Sequence, residues 1–319
     1  MARAQTQTQA AKQRRRPRVG VALGSGSARG WAHIGVLNAM RAAGIAPDVV
    51  CGTSIGALVG AAYVTGELPR LERWVRSITR LDILRLLDLR AGRGGFVAGT
   101  RVFEQLRSAE SDKNIEDLDV RYAAVATDFE TGREVWLREG SLLDAVRASI
   151  SLPGLFVPAR VEGRWLVDGG LVNPVPVSVC RALGADVVIA VNLGGDLTSR
   201  NVQPALPELD EPAKLEDAIS RLPRALQPRL RAAASLLSSS RDRARPPGLL
   251  DVVAGSIYIM QDRVTRSRLA GDPADVIVSP RLPHVRLLEF DRAAEVIAEG
   301  EASFALVRES VERVLRGAR

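Results

Sequence analysis

The sequence predicts an α/β fold built on a largely parallel sheet. Short apolar runs alternate with helical patterns, beginning near residue 19. The first runs are continuously apolar, as strands covered on both faces must be. Each of the first two ends in a Gly-rich turn that leads straight into a helix, the order of a parallel sheet with crossover helices.

Val19-Gly20-Val21-Ala22-Leu23 is the first such run. A Gly and Ser loop spans residues 24–30. Residues 31–43 read as a helix, with Ile34, Val36 and Leu37 toward a core and Gly44 as its stop. Residues 48–51 form a second short strand, and residues 54–64 an Ala- and Gly-rich helix. Residues 68–89 read as one or two amphipathic helices, 92–95 as a Gly-rich break, and 100–108 as a further short helix. A strand at 122–127 pairs with one at 134–137 across a turn containing Thr131-Gly132. A helix at 142–150 follows, then a hairpin of 156–161 and 164–167 around Glu162-Gly163. Residues 187–193 are a strongly apolar strand.

Composition shifts at Gly194. To about residue 249 the chain is rich in Pro, Arg, Ser and Leu, with Pro204, Pro207, Pro212, Pro223, Pro228, Pro246 and Pro247 cutting it short. Leu230, Ala233, Ala234 and Leu237 share one helical face there, so the insertion reads as a lid, a membrane-surface helix or a surface loop. Order returns with a helix from 251 to about 270, a strand at 275–278, and helices at 292–300 and 303–315. Residues 1–18 read as a disordered basic arm, and 19–319 as a single domain.

The chain has 319 residues with a net charge of +7, carried almost wholly by Arg; Lys12, Lys113 and Lys214 are its only lysines. A basic surface suits phosphate-bearing partners, either nucleic acid or anionic lipid, or reflects a plain preference for Arg together with a basic tail. Cys51 and Cys180 sit in apolar stretches and read as buried thiols in a reducing compartment. No Cys and His cluster has metal-ligand spacing. No apolar run reaches the roughly 18 to 20 residues that span a bilayer. The expectation is a cytoplasmic protein, with peripheral contact at the inner membrane surface left open, and no cofactor.

Three motifs carry chemistry. Gly52-Thr53-Ser54-Ile55-Gly56 matches G-x-S-x-G between a strand and a helix, the context of a nucleophile elbow. Gly52 and Gly56 allow the sharp turn, and the helix N-terminus points positive charge at Ser54. Read blandly, Ser54 is an N-cap. Gly24-Ser25-Gly26-Ser27-Ala28-Arg29-Gly30 exposes backbone amides beside another helix N-terminus, so it binds an anion. Its glycine spacing does not fit G-x-G-x-x-G, and beside an elbow it reads better as an oxyanion hole than as a pyrophosphate site. Arg29 either stabilises charge there or pins the loop. Asp168-Gly169-Gly170 ends a strand and leaves room for another group to come close; an ordinary turn is the plainer reading. Asn173 is expected to hydrogen-bond this loop.

A hydroxyl nucleophile needs a base within reach. The chain has two histidines, His33 and His284. His33 lies in the helix after the Gly loop and reads as packed. His284 follows Asp168 in the chain, which would fit a Ser-Asp-His order. A pair without histidine, Ser54 with Asp168, is the leading scheme.

The three motifs, in this order, resemble patatin-like phospholipases, and most closely the compact bacterial branch related to neuropathy target esterase. The resemblance extends through Trp31-Ala32-His33-Ile34-Gly35-Val36-Leu37, Ser149-Ile150-Ser151-Leu152-Pro153-Gly154 and the stretch from Asp168 to Pro176. It implies a three-layer α/β/α patatin fold, no metal, and hydrolysis of carboxylic esters of phospholipids or lysophospholipids. It implies Ser54 as nucleophile, Asp168 as base, and oxyanion donors among the amides around Gly24, Ser25, Gly26 and Ser27. Many members have glycines where this chain has Ser25 and Ser27. Other readings are a non-catalytic lipid-binding or regulatory protein, an esterase using His284, and a nucleotide binder; nucleic acid is not an expected partner.

Overall fold

The computed structural model describes residues 16–80, 82–83, 89–92, 95–97, 112–153, 155–195, 220, 227 and 249–318. β1 (Val19–Leu23) leads through a 3-10 turn at Ser27–Trp31 into α1 (Ala32–Ala42). β2 (Val49–Thr53) runs into α2 (Ile55–Val64), and α3 (Leu68–Ser77) follows with Pro69 in its first turn. β3 (Leu89–Gly92) and β4 (Gly95–Val97) make a small antiparallel pair of their own. β5 (Arg121–Asp128) turns back into β6 (Glu134–Leu137). α4 (Leu142–Ser149) is capped by Ser141, whose hydroxyl accepts the Asp144 N–H. β7 (Ala159–Val161), β8 (Arg164–Asp168), α5 (Val177–Ala182) and β9 (Val187–Val191) follow. α6 (Leu249–Gly271), β10 (Val276–Val278) and α7 (Ala293–Gly317) complete the described chain.

The main sheet runs β10-β9-β1-β2-β5-β8-β7, with β6 also on β5. From β10 to β5 every pairing is parallel; β6, β8 and β7 are antiparallel additions. The strands are buried on both faces because helices cover both. Val21, Leu23, Val50, Ala124 and Ile189 belong to one apolar cluster, with residues of α1, α2 and α7. Their neighbours Ala22, Cys51, Ala123, Val125 and Val188 belong to the other, with Val179 and Cys180 of α5. Strand periodicity of two thus splits each continuous run between two cores, and the result is three layers.

β5 acts as a ruler for the site. Its residues Val125 and Ala126 pair with Trp136 and Val135 of β6 along one edge. On the other edge Thr53 of β2 lies opposite Val125, and Asp168 of β8 lies opposite Ala126. The C-terminal ends of β2 and β8 therefore meet head to head. Ser54, the next residue after β2, arrives beside Asp168.

Some expectations change. Gly92 and Gly95, read as the ends of a break, pair across β3 and β4. The two final helices are one, because Gly300 is not a stop: a Cβ there would sit 2.1 Å from the Ala32 carbonyl oxygen, so glycine lets α7 cross α1 closely. That close approach offsets the roughly 0.5–1 kcal/mol that a mid-helix glycine costs. α5 went unread after the run of prolines. Arg16 pairs with Asp48 at 2.6 Å, and the Arg18 N–H bonds Asp186 at 2.7 Å, so residues 16 and 18, read as arm, are tied to the sheet. Residues 1–15 of the arm, the helix at 100–108 and the apolar face at Leu230 to Leu237 lie outside the described residues.

Candidate active site

Ser54 sits at a turn too tight for most residues. Its φ of 58° and ψ of −125° put a non-glycine residue in a strained region, the kind of backbone found where a fold over-determines a functional position. A Cβ on Gly52 would approach the Ala57 nitrogen to 2.4 Å, and one on Gly56 would approach the Leu23 carbonyl oxygen to 2.1 Å. Both glycines of the motif are thus required by contact. The strain is held from outside: the Ser54 N–H donates to Ser149 Oγ at 2.9 Å, and that hydroxyl donates to the Val125 carbonyl at 2.6 Å. Thr53 Oγ1 donates to the Asn173 carbonyl at 2.8 Å, tying the elbow to the loop after Asp168.

The Ser54 hydroxyl donates to Asp168 Oδ2 at 2.5 Å. Asp168 is fully buried, and its second oxygen, Oδ1, accepts the Gly170 N–H at 2.7 Å. Its backbone is fixed by the Ser151 carbonyl at 2.9 Å and by Thr127 Oγ1 at 2.8 Å. A Cβ on Gly169 would meet the Val125 carbonyl oxygen at 2.2 Å, so only glycine lets this loop lie on β5. Burial raises the Asp168 carboxyl from 3.8 to about 6, while the bonds from Ser54 and Gly170 pull it down. The carboxylate is ionised at neutral pH but poised close to it.

The Gly loop lies against the ends of β1 and β9. Two of the four amides expected to face an anion are already spent. The Gly24 N–H donates to the Val191 carbonyl at 3.1 Å, and the Ser25 N–H to the Pro174 carbonyl at 2.8 Å. Ala28 and Arg29 donate theirs to Leu287 and Gly26. The Gly26 and Ser27 amides have no backbone acceptor among the described residues. Ser27 has a φ of 52°, and its hydroxyl donates to the Leu287 carbonyl at 2.6 Å, which holds this unfavourable conformation. Arg29 is buried, and its guanidinium stacks 4.7 Å over the Tyr258 ring, which pins the loop to α6. Gly30 passes against Ile55 of α2.

His33 is fully buried, and burial lowers its pKa to about 4. As a neutral ring it donates from Nε2 to the Gly24 carbonyl at 2.7 Å, anchoring the loop. His284 is half exposed and bonds Glu295 at 2.6 Å; the structure does not bring it to Ser54. Cys51 and Cys180 are both buried, and burial pushes the Cys51 thiol well up. Asn173 reaches Glu134 and Ser178 with its side-chain amide, at 2.7 and 3.2 Å. Among the described residues no group of three or more His, Cys, Asp or Glu could hold a metal, and no helix is long and apolar enough to cross a membrane.

Ser54 opens into a cavity of about 120 Å³. Ile55 and Leu58 of α2, Trp74 of α3, Leu152 and Phe156 after α4, and Ile257 and Tyr258 of α6 line it, with Ser25 and Ser27 at the Gly loop. The wall is apolar except at its Ser54 end. Its residues come from distant segments, so no local pattern marks them as one surface. Ser149 was likewise missed as the partner of the Ser54 amide, although Ser149 to Gly154 stands out as a small-residue stretch.

An α/β sheet with a serine elbow bonded to a buried carboxylate, at the end of an apolar cavity, has the layout of a lipid hydrolase. The Patatin-like phospholipase family model matches residues 21–181. A Mycobacterium tuberculosis protein named as an uncharacterized NTE family protein is 35% identical over 336 residues, covering 92% of this chain and 91% of its own. Human patatin-like phospholipase domain-containing protein 6 is 36% identical over 181 residues, 54% of this chain but 13% of that much longer protein. Among solved structures, VipD from Legionella pneumophila aligns at a TM-score of 0.43 and 12% identity, over 93% of this chain and 67% of that one. The chain belongs to the patatin-like phospholipase family.

Proposed function

We propose that the chain is a serine acyl hydrolase that cleaves carboxylic esters of phospholipids or lysophospholipids through Ser54 and Asp168. The single observation that carries this reading is the 2.5 Å bond from Ser54 Oγ to Asp168 Oδ2 at the end of the apolar cavity. Asp168 takes the hydroxyl proton as Ser54 Oγ attacks the ester carbonyl carbon. The carbonyl π electrons move to oxygen, and the Gly26 and Ser27 amides receive that oxyanion. One such donor is worth on the order of 3 kcal/mol. The proton passes to the leaving alcohol as the C–O bond breaks, leaving an acyl-Ser54 ester. Water, deprotonated by Asp168, attacks the acyl carbon, and the acyl–Oγ bond breaks. The fatty acid departs and the proton returns to Ser54.

The cavity wall from Leu58 to Phe156 receives the acyl chain, and the lipid comes from a membrane surface that the protein meets from the cytoplasmic side. A fluorophosphonate probe with peptide mapping tests the reading. Label on Ser54, with ester turnover lost in Ser54→Ala, is the expected result. Turnover by no ester, with no label, would instead favour a lipid-binding protein without catalysis.

A further inference from the structure

We propose that the exposed face of α6 docks on an anionic bilayer and so sets the cavity mouth at the lipid surface. The proposal rests on the hydrolase reading and deepens it by naming the surface through which the substrate arrives. Val252, Val253, Ile259 and Met260 are 47%, 37%, 54% and 51% exposed. At 3.6 residues per turn these four fall within about 120° of one another, together with Ser256 and Arg263. The opposite arc is buried and carries Gln261, Asp262 and Thr265, with the buried Ile257 at its border with the exposed face. A helix that merely covers a core has a charged outer face. α6 has an apolar one over its first half, and a patch of that kind marks an interaction site.

Two features select a bilayer as the occupant. First, Ile257, which borders that face beside Val253 and Met260, lines the cavity that ends at Ser54. The apolar face and the cavity wall thus adjoin at Ile257. Second, Arg263 follows the apolar half on the same face and sets a cation beside it. Apolar side chains in the acyl boundary with arginine at phosphate depth is the arrangement of an interfacial helix.

The test is sedimentation of the full chain with vesicles of phosphatidylcholine alone or mixed with phosphatidylglycerol, for the natural protein, Ile259→Asp/Met260→Asp and Arg263→Glu. The double variant is expected to lose vesicle binding about tenfold or more while keeping turnover of a water-soluble short-chain ester within about twofold. Arg263→Glu is expected to cut binding to the mixed vesicles about fivefold and to leave binding to phosphatidylcholine unchanged. Ile259→Ser/Met260→Gln repeats the first arm if circular dichroism shows that the Asp pair does not fold. Unchanged vesicle binding by the double variant overturns the proposal. So does a variant whose melting point drops by several degrees, which would mean that the chain's own residues pack on this face, or a dimer that the variant dissociates. If the natural protein turns over no ester at all, the hydrolase reading fails, and vesicle binding still decides the docking surface.

Discussion

Replacing Asp168 with Asn should stabilise the fold and abolish the chemistry. The carboxyl is fully buried, and burial lifts it from 3.8 to about 6. A gap of about 2 pH units corresponds to roughly 3 kcal/mol disfavouring the ionised form in the folded protein. The folded state binds this proton more tightly than the unfolded chain. Its contribution to stability is therefore complete below about pH 4 and is lost as pH rises through about 6. Asn never ionises, and its amide keeps an acceptor for the Gly170 N–H. The variant should match the natural protein below pH 4, gain on it between pH 4 and 6, and exceed it by up to about 3 kcal/mol above pH 6. Ester turnover should fall about a thousandfold, since no base remains. In the natural protein kcat/KM should climb with pH through about 6, as Asp168 ionises. Urea melts at pH 4 and pH 8, run beside a short-chain ester assay, read all of this. No stability gap at pH 8, or a rate that is flat across pH 5 to 7, would refute the argument.

Three other changes probe different parts of the site. Ser149→Ala strands the Ser54 N–H and the Val125 carbonyl, at a cost of about 1–3 kcal/mol for each group, and urea melts should show it; an unchanged midpoint would mean that the bridge does not hold the elbow. Leu58→Trp fills part of the cavity, so KM for long-chain esters should rise about tenfold while acetate ester turnover holds; equal loss on both would argue against an acyl pocket. His284→Ala removes an exposed pair with Glu295 and should shift stability by less than about 1 kcal/mol with full turnover retained. Lost turnover in that variant would revive a scheme with a histidine base.

Sequence alone was enough to reveal the parallel sheet. β1, β2 and β9 lie between two helical layers, so their residues must be apolar on both faces, and unbroken runs such as Val187–Val191 announce it. The elbow was legible for a similar reason, since contacts of 2.4 Å and 2.1 Å leave Gly52 and Gly56 no alternative. Gly300 shows the limit of that reasoning: the same residue type that ends one helix lets another pass a neighbour, and only the neighbour tells them apart.

The chemistry-bearing residues were therefore nameable one by one from local pattern: Ser54 by its flanking glycines, Asp168 by its own, the loop at Gly24 to Gly30 by its amides. Their meeting was not, because Ser54 and Asp168 stand 114 residues apart and come together through the register of β2 and β8 on one edge of β5. Which loop amides lack a backbone acceptor among the described residues was not legible either, since carbonyls of Val191 and Pro174, far along the chain, take those of Gly24 and Ser25. Of the cavity wall only the apolar segment from Leu152 to Phe156 was legible; the rest is assembled from α2, α3 and α6. Local sequence dictates backbone conformation and which residues must be small or apolar. Which groups remain unpaired, and how far a buried carboxyl is pushed from its ordinary pKa, depends on partners and desolvation that tertiary packing alone supplies.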